Sequence, residues 1–167
     1  MKRLIFLMVF LLAGSTLVNA QDQTAKQRRT AKEKNIKQLI DSRQFRFVAR
    51  SVIPLSGPKV ELTSSYDLKI DSMMVESWLP FYGRAYHVDY GDRDGGIKFK
   101  EEADQMDVRF NKKKKMYRID LTVDTDKDNY QISISAGLGG YADVNIVSNN
   151  RQAIGYYGTI EPLEKDQ

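Results

Sequence analysis

The sequence predicts a mainly β protein, an antiparallel meander of about eight short strands closing as a barrel or a two-layer sandwich, preceded by one helix. Three observations predict it. Apolar residues recur at every second position, as Tyr130, Ile132, Ile134 and Ala136 do against Gln131, Ser133 and Ser135. That is the period of a strand with one buried and one wet face. Turn-forming residues punctuate these runs at Pro54, Gly57 and Pro58, at the lysines 112–115, at Leu138-Gly139-Gly140 and at Asn149-Asn150. No helical period intervenes between the strands, so parallel crossovers are excluded and neighbours must pair antiparallel. Both a barrel and a sandwich satisfy this pattern.

Residues 1–20 read as a secretory signal peptide. Lys2 and Arg3 precede an unbroken apolar run from Leu4 to Leu12, and Val18 and Ala20 place small residues before Gln21. A membrane anchor needs roughly 20 apolar residues, and Ala13-Gly14-Ser15-Thr16 dilutes the run before that length. The expected mature chain begins at Gln21, carries no transmembrane anchor, and is soluble in the periplasm or outside the cell. Residues 21–42 read as a basic N-terminal helix or arm. They are rich in Ala, Lys, Arg and Gln, contain no Gly or Pro, and carry one short apolar stripe of Ile36, Leu39 and Ile40. The stripe lets the last two turns dock while the earlier turns stay solvated.

Residues 43–163 read as a single antiparallel β domain. Phe45, Phe47 and Ala49 open it; Val60 and Leu62 make one short strand and Leu68 and Ile70 another, divided at Ser64-Ser65. Alternation resumes at Ile97 and Phe99, at Met106, Val108 and Phe110, and at Tyr117, Ile119, Leu121 and Val123. Ala142, Val144 and Ile146, then Ile154, Tyr156 and Ile160, complete the set.

Charge and composition narrow the function. The formal net charge of +4 includes Lys2 and Arg3, so the chain after Ala20 is near +2. A balanced surface with an export signal does not suit nucleic acid. With no cysteine, stability rests on packing alone. The single histidine, His87, cannot assemble a triad or a metal triplet, and reads as a structural or surface residue. Asp124, Asp126 and Asp128 have the alternation that opens a calcium loop, but Asn129 and Ser135 stand where glycine and a bidentate acid are needed. Polar turn chemistry is the better account of these weak metal candidates. No catalytic residue, cofactor or metal is implied.

The least generic stretch is Leu79-Pro80-Phe81-Tyr82-Gly83-Arg84-Ala85-Tyr86. Trp78, Phe81, Tyr82, Tyr86 and Tyr90 put five aromatics into 13 positions. Pro80 cannot donate to a ladder, so a strand must end there or lie at an edge. Val75, Leu79 and Phe81 share one face by parity, with Trp78 and Tyr82 on the other. We expect the first face in the core and the second covered by the helix stripe. A groove is the competing account, with Trp78, Tyr82, Arg84, Tyr86 and Tyr90 as its candidate ligand-binding residues. Such aromatic faces suit a glycan or a small apolar ligand.

The stretches Phe47-Val48-Ala49-Arg50, Leu62-Thr63-Ser64-Ser65-Tyr66-Asp67-Leu68 and the aromatic run occur in one order, followed by Gly95-Gly96-Ile97-Lys98-Phe99 and Ser148-Asn149-Asn150-Arg151-Gln152. With Tyr156-Tyr157-Gly158, they resemble an exported bacterial family labelled domain of unknown function 4251, common in Gram-negative gut bacteria. The family order is more usually Tyr then Phe where this chain has Phe81-Tyr82. The resemblance implies an extracytoplasmic domain and brings no activity or ligand with it. The leading reading is therefore an exported, non-enzymatic, periplasmic or envelope-associated binding module. The alternatives are a carbohydrate-active hydrolase using a carboxylate pair, and an interaction or inhibitor module for another envelope protein.

Overall fold

The structure is a computed structural model and describes residues 24–86 and 95–164. The signal peptide expected at residues 1–20, His87 and Tyr90 lie outside the described residues. One helix, α1 (residues 24–41), precedes nine strands. These are β1 (Gln44–Pro54), β2 (Val60–Asp71), β3 (Met74–Leu79), β4 (Ile97–Glu102), β5 (Gln105–Asn111), β6 (Met116–Asp124), β7 (Asn129–Gly137), β8 (Tyr141–Ser148) and β9 (Ile154–Glu161). All pair antiparallel in one sheet of order β4-β3-β2-β1-β9-β8-β7-β6-β5. The sheet curls as a half-barrel around its own core, so its two halves face each other as the layers of a sandwich would.

The mainly β, antiparallel expectation holds, with nine strands for the predicted eight or so. The run at Ile97 and Phe99 and the run at Met106 to Phe110 are separate strands, as the sequence divides them, and a kink joins them. Strands β4 and β5 are the two sheet edges, yet only Ala103 and Asp104 separate them. Eight successive antiparallel steps lead from β4 round to β5, so the two run in the same direction. They are successive halves of one run that changes partner. Ala103 N–H donates to Met73 O at 2.8 Å, beside β3, and Asp104 N–H donates to Thr122 O at 3.0 Å, on β6. The inward positions shift phase across the kink, from Ile97 and Phe99 to Met106 and Val108, which pair with Leu121 and Ile119. One difference is at Ser64-Ser65, where two strands were expected. There β2 runs unbroken from Val60 to Asp71 as it pairs along β1.

The inward faces supply the core. Phe45, Phe47, Leu68, Ile70, Ile119, Ile132, Ile134, Ile146 and Tyr156 are fully buried, each worth about 1.5–3 kcal/mol. Phe99 stacks on Tyr130 at 4.9 Å, joining β4 to β7 across the interior. At the centre, β1 lies against β9, and Gly158 makes that approach possible. A Cβ there would overlap the Val48 carbonyl and meet the Phe47 ring at 2.9 Å.

The helix closes one end. Its stripe lands on the β7–β8 turn, where Gly140 has φ +84° and a Cβ added to it would meet Ile36 Cδ1 at 3.2 Å. Ile36 and Ile40 are buried while residues 24–32 are exposed. The Tyr117 hydroxyl donates to Asp41 Oδ1 at 2.8 Å and locks the end of α1 to β6. Burial, then that hydrogen bond and the Asp41 charge, push the Tyr117 hydroxyl's pKa up.

Candidate functional site

The site is built on a buried carboxylate that the sequence reads as part of a polar turn and only weakly as a metal ligand. Asp128 is 7% exposed. Its Oδ1 accepts from the backbone N–H of Asn129, Asn149 and Asn150, and its Oδ2 accepts from the Ser148 hydroxyl at 2.7 Å. These bonds tie the β6–β7 turn to the β8–β9 turn. Asn150 answers by donating its side-chain amide to Lys127 O. Among the described residues no group of acids or histidines is arranged to hold a metal. Asp124 and Asp126 are exposed on the same turn.

The β8–β9 turn in turn holds the aromatic stretch. Tyr86 N–H donates to Asn150 O at 2.7 Å and Gln152 N–H donates to Arg84 O at 3.0 Å. Gln152 Oε1 accepts from Arg84 N–H, and Ala85 bridges Arg151 in antiparallel fashion. After Pro80 the chain thus leaves β3 and crosses to the far side of the sheet. Tyr156 anchors its start by donating to Pro80 O at 2.8 Å. Arg151 reaches Gly95 O and Gly96 O at 2.9 and 3.0 Å, and its guanidinium lies over the Phe81 ring at 5.4 Å. One arginine therefore fastens both the outgoing and the returning chain. Nothing in its sequence neighbourhood beyond the Asn149-Asn150 turn marked it for this.

This pinning divides the aromatics. Leu79 is buried and Phe81 packs partly buried against the core, as their shared parity predicts. Tyr82 is 43% exposed, Tyr86 is 68% exposed, and Arg84 is exposed with them. Trp78 stands on the outer face of β3, 51% exposed, with Lys98 Nζ over its ring at 3.9 Å. The helix stripe docks at Gly140 and does not cover Trp78. The expected cover is absent because α1 spends its three apolar residues on the end of the sheet. Tyr82, Arg84 and Tyr86 share the crossing loop, and Trp78 lies just before it on β3.

Two carboxylates near Trp78 differ in character. Asp67 is its cross-strand neighbour on β2, and Glu76 lies two residues before it on β3. Burial pushes the Asp67 carboxyl up despite the charges of Lys69 and Arg46. Burial also acts on Glu76, but Lys69 at 3.2 Å and Lys100 at 3.5 Å outweigh it and hold that carboxyl down.

Elsewhere on the outer face lies a shallow depression of about 400 Å³, lined by Ile53, Leu55, Arg118, Ser133, Asp143 and Asn145 among others. Beside it Asp120 accepts from Ser133 Oγ at 2.6 Å and from Arg118 and Arg109 at 3.0 Å. Burial raises the Asp120 pKa, but these partners outweigh it, so the carboxyl stays ionised well into acid. A group held so firmly as an anion is a poor proton donor.

Comparisons with known proteins agree with this architecture. The crystal structure of a DUF4251 family protein from Bacteroides eggerthii DSM 20697 superposes with a TM-score of 0.61 at 16% identity, covering 79% of this chain and 88% of that one. At that identity the likeness speaks for the fold. No curated protein matches the sequence. The family described as Domain of unknown function (DUF4251) matches residues 27–160, most of the chain, and the protein belongs to that family.

Proposed function

We propose that this chain is an exported, non-enzymatic binding module of the cell envelope, and that it takes a glycan on the aromatic surface around Trp78, Tyr82 and Tyr86. The observation that carries this reading is that three large aromatics stay exposed on fixed backbone, Trp78 in the ladder of β3 and Tyr82 and Tyr86 on the loop pinned by Asn150, Arg151, Gln152 and Tyr156. Holding exposed aromatics in place costs ordering entropy without burying apolar area. A ligand that stacks on them recovers it, because a sugar ring offers an apolar face for the ring and hydroxyls for Arg84 and Lys98. A preordered platform also spares the ligand the entropy of arranging it.

Trp78 is the only tryptophan, so its emission reports from the site directly. Titration with soluble peptidoglycan fragments and neutral oligosaccharides is expected to give a saturable change in emission for at least one of them. A flat response to every glycan, with a saturable response to a fatty acid, would assign the surface to an apolar ligand instead.

A second reading has its own observation. Asp67 and Glu76 flank Trp78 with pKa values pushed apart, the relation expected of an acid and an ionised partner in glycoside hydrolysis. Release of reducing ends from the bound glycan, abolished by Asp67→Asn, would favour that reading. Binding without turnover favours the module.

A further inference from the structure

We infer that the helix end of the molecule docks on the phosphate headgroups of an anionic lipid surface. The basic residues of the helix and those of the β5–β6 turn, separate in sequence, lie at one end of the fold. The Tyr117–Asp41 hydrogen bond places the close of α1 against the first residues of β6. Residues 112–115, four lysines, form the turn immediately before that strand, and all four are exposed. Asn111 Oδ1 accepts from the backbone N–H of Lys113 and Lys114, so the turn is ordered and its side chains project from a fixed base.

The helix adds Lys26, Arg28, Arg29, Lys32, Lys34 and Lys37, all exposed. Glu33 is the one acid among them, and it pairs with Arg29 at 3.0 Å. Ile36, Leu39 and Ile40 supply the apolar docking, and Lys32 lies over the Tyr141 ring at 5.6 Å, while Lys26, Arg28 and Arg29 stand exposed on the earlier turns. Charge is concentrated here out of proportion. Residues 21–42 hold six basic side chains against three acids, and the chain after Ala20 is near +2, so the strand domain alone is slightly acidic.

Solubility does not require this asymmetry, and mixed charge would serve it better. A planar array of phosphates is the partner that a broad cationic end fits, because it needs no shaped pocket. Each lysine or arginine near such a surface strengthens binding about fivefold. The apolar stripe is consumed in docking the helix, so the contact is electrostatic and not an insertion into lipid. On this geometry the aromatic loop, which is fastened to the other end of β8 and β9, stays free for its ligand.

Co-sedimentation of the exported, processed protein with vesicles tests this. Vesicles containing phosphatidylglycerol should bind it at least about tenfold better than pure phosphatidylcholine, with binding lost between about 0.05 and 0.3 M salt as the screening length shortens. The triple variant Lys26→Glu, Arg28→Glu, Lys34→Glu and the double variant Lys113→Glu, Lys114→Glu should each weaken binding by more than tenfold, on about fivefold per charge. Glutamine at the same positions gives a milder series, should a reversed-charge variant fail to fold. Equal binding to both vesicle types would overturn the proposal. So would retained binding in a folded variant carrying all five changes, or binding to soluble alginate with none to the anionic vesicles.

Discussion

Gly158 is the residue on which the centre of the sheet depends most sharply. The strands at the two ends of the domain, β1 and β9, meet there, and the glycine lets the Val48 carbonyl and Phe47 ring approach. Gly158→Ala should cost about 3 kcal/mol, at the upper end of overpacking changes, measured as a lower urea midpoint. Asp67 makes a prediction of opposite sign. Its folded pKa is raised by burial, so the folded state prefers it protonated, and that preference is lost as stabilisation once pH rises through the folded value. Asp67→Asn should therefore melt above wild type at pH 7. Below the ordinary value of 3.8 the difference should vanish. At this scale the sequence was legible by parity: the inward positions from Phe45 to Tyr156 follow from alternation alone. Asp128 was legible only in part. Its spacing pointed to polar turn chemistry, with a cation as the weaker alternative, but the three backbone amides and the hydroxyl that fill the carboxylate are partners that only the fold brings together.

Among the elements, the crossing loop and the β8–β9 turn behave as one unit. Asp128→Ala would leave three backbone donors and the Ser148 hydroxyl without their acceptor. Hydrogen bonds to charged groups contribute about 1.5–3 kcal/mol, so the variant should lose about 2 kcal/mol. It should also speed amide exchange at Tyr86 and Gln152, whose bonds depend on that turn. Asp124→Ala, exposed on the same turn, should change stability by less than about 0.5 kcal/mol. If calcium raised the melting temperature of wild type and not of Asp128→Ala, the structural assignment of Asp128 would be wrong. Strand ends at Pro80, at the lysine turn and at Gly140 could be read from the sequence, because proline and glycine act locally. The union of Val60 and Leu62 with Leu68 and Ile70 could not. Serines 64 and 65 lie in a strand whose ladder to β1 overrides their turn preference. The break between Phe99 and Met106 was legible as a shift from odd to even apolar positions, but not that the chain there changes partner from β3 to β6.

For the whole molecule, α1 and the aromatic loop compete for the same explanation of Trp78, and the helix proves to be elsewhere. Sequence periodicity identified the stripe of Ile36, Leu39 and Ile40 but carried no information on which surface receives it; Gly140, a residue of the β7–β8 turn, does. Under the proposed function the core is complete without Trp78, and the exposed indole is presented to a ligand. The direct test is a thermal melt of Trp78→Ala paired with glycan titration by calorimetry. The expected result is a melting temperature within about 2 °C of wild type, as for a surface change well under 1 kcal/mol, together with loss of the glycan binding that wild type shows. A drop of 8 °C or more, about what a loss beyond 2 kcal/mol gives a domain of this size, would contradict it and make Trp78 part of the packing.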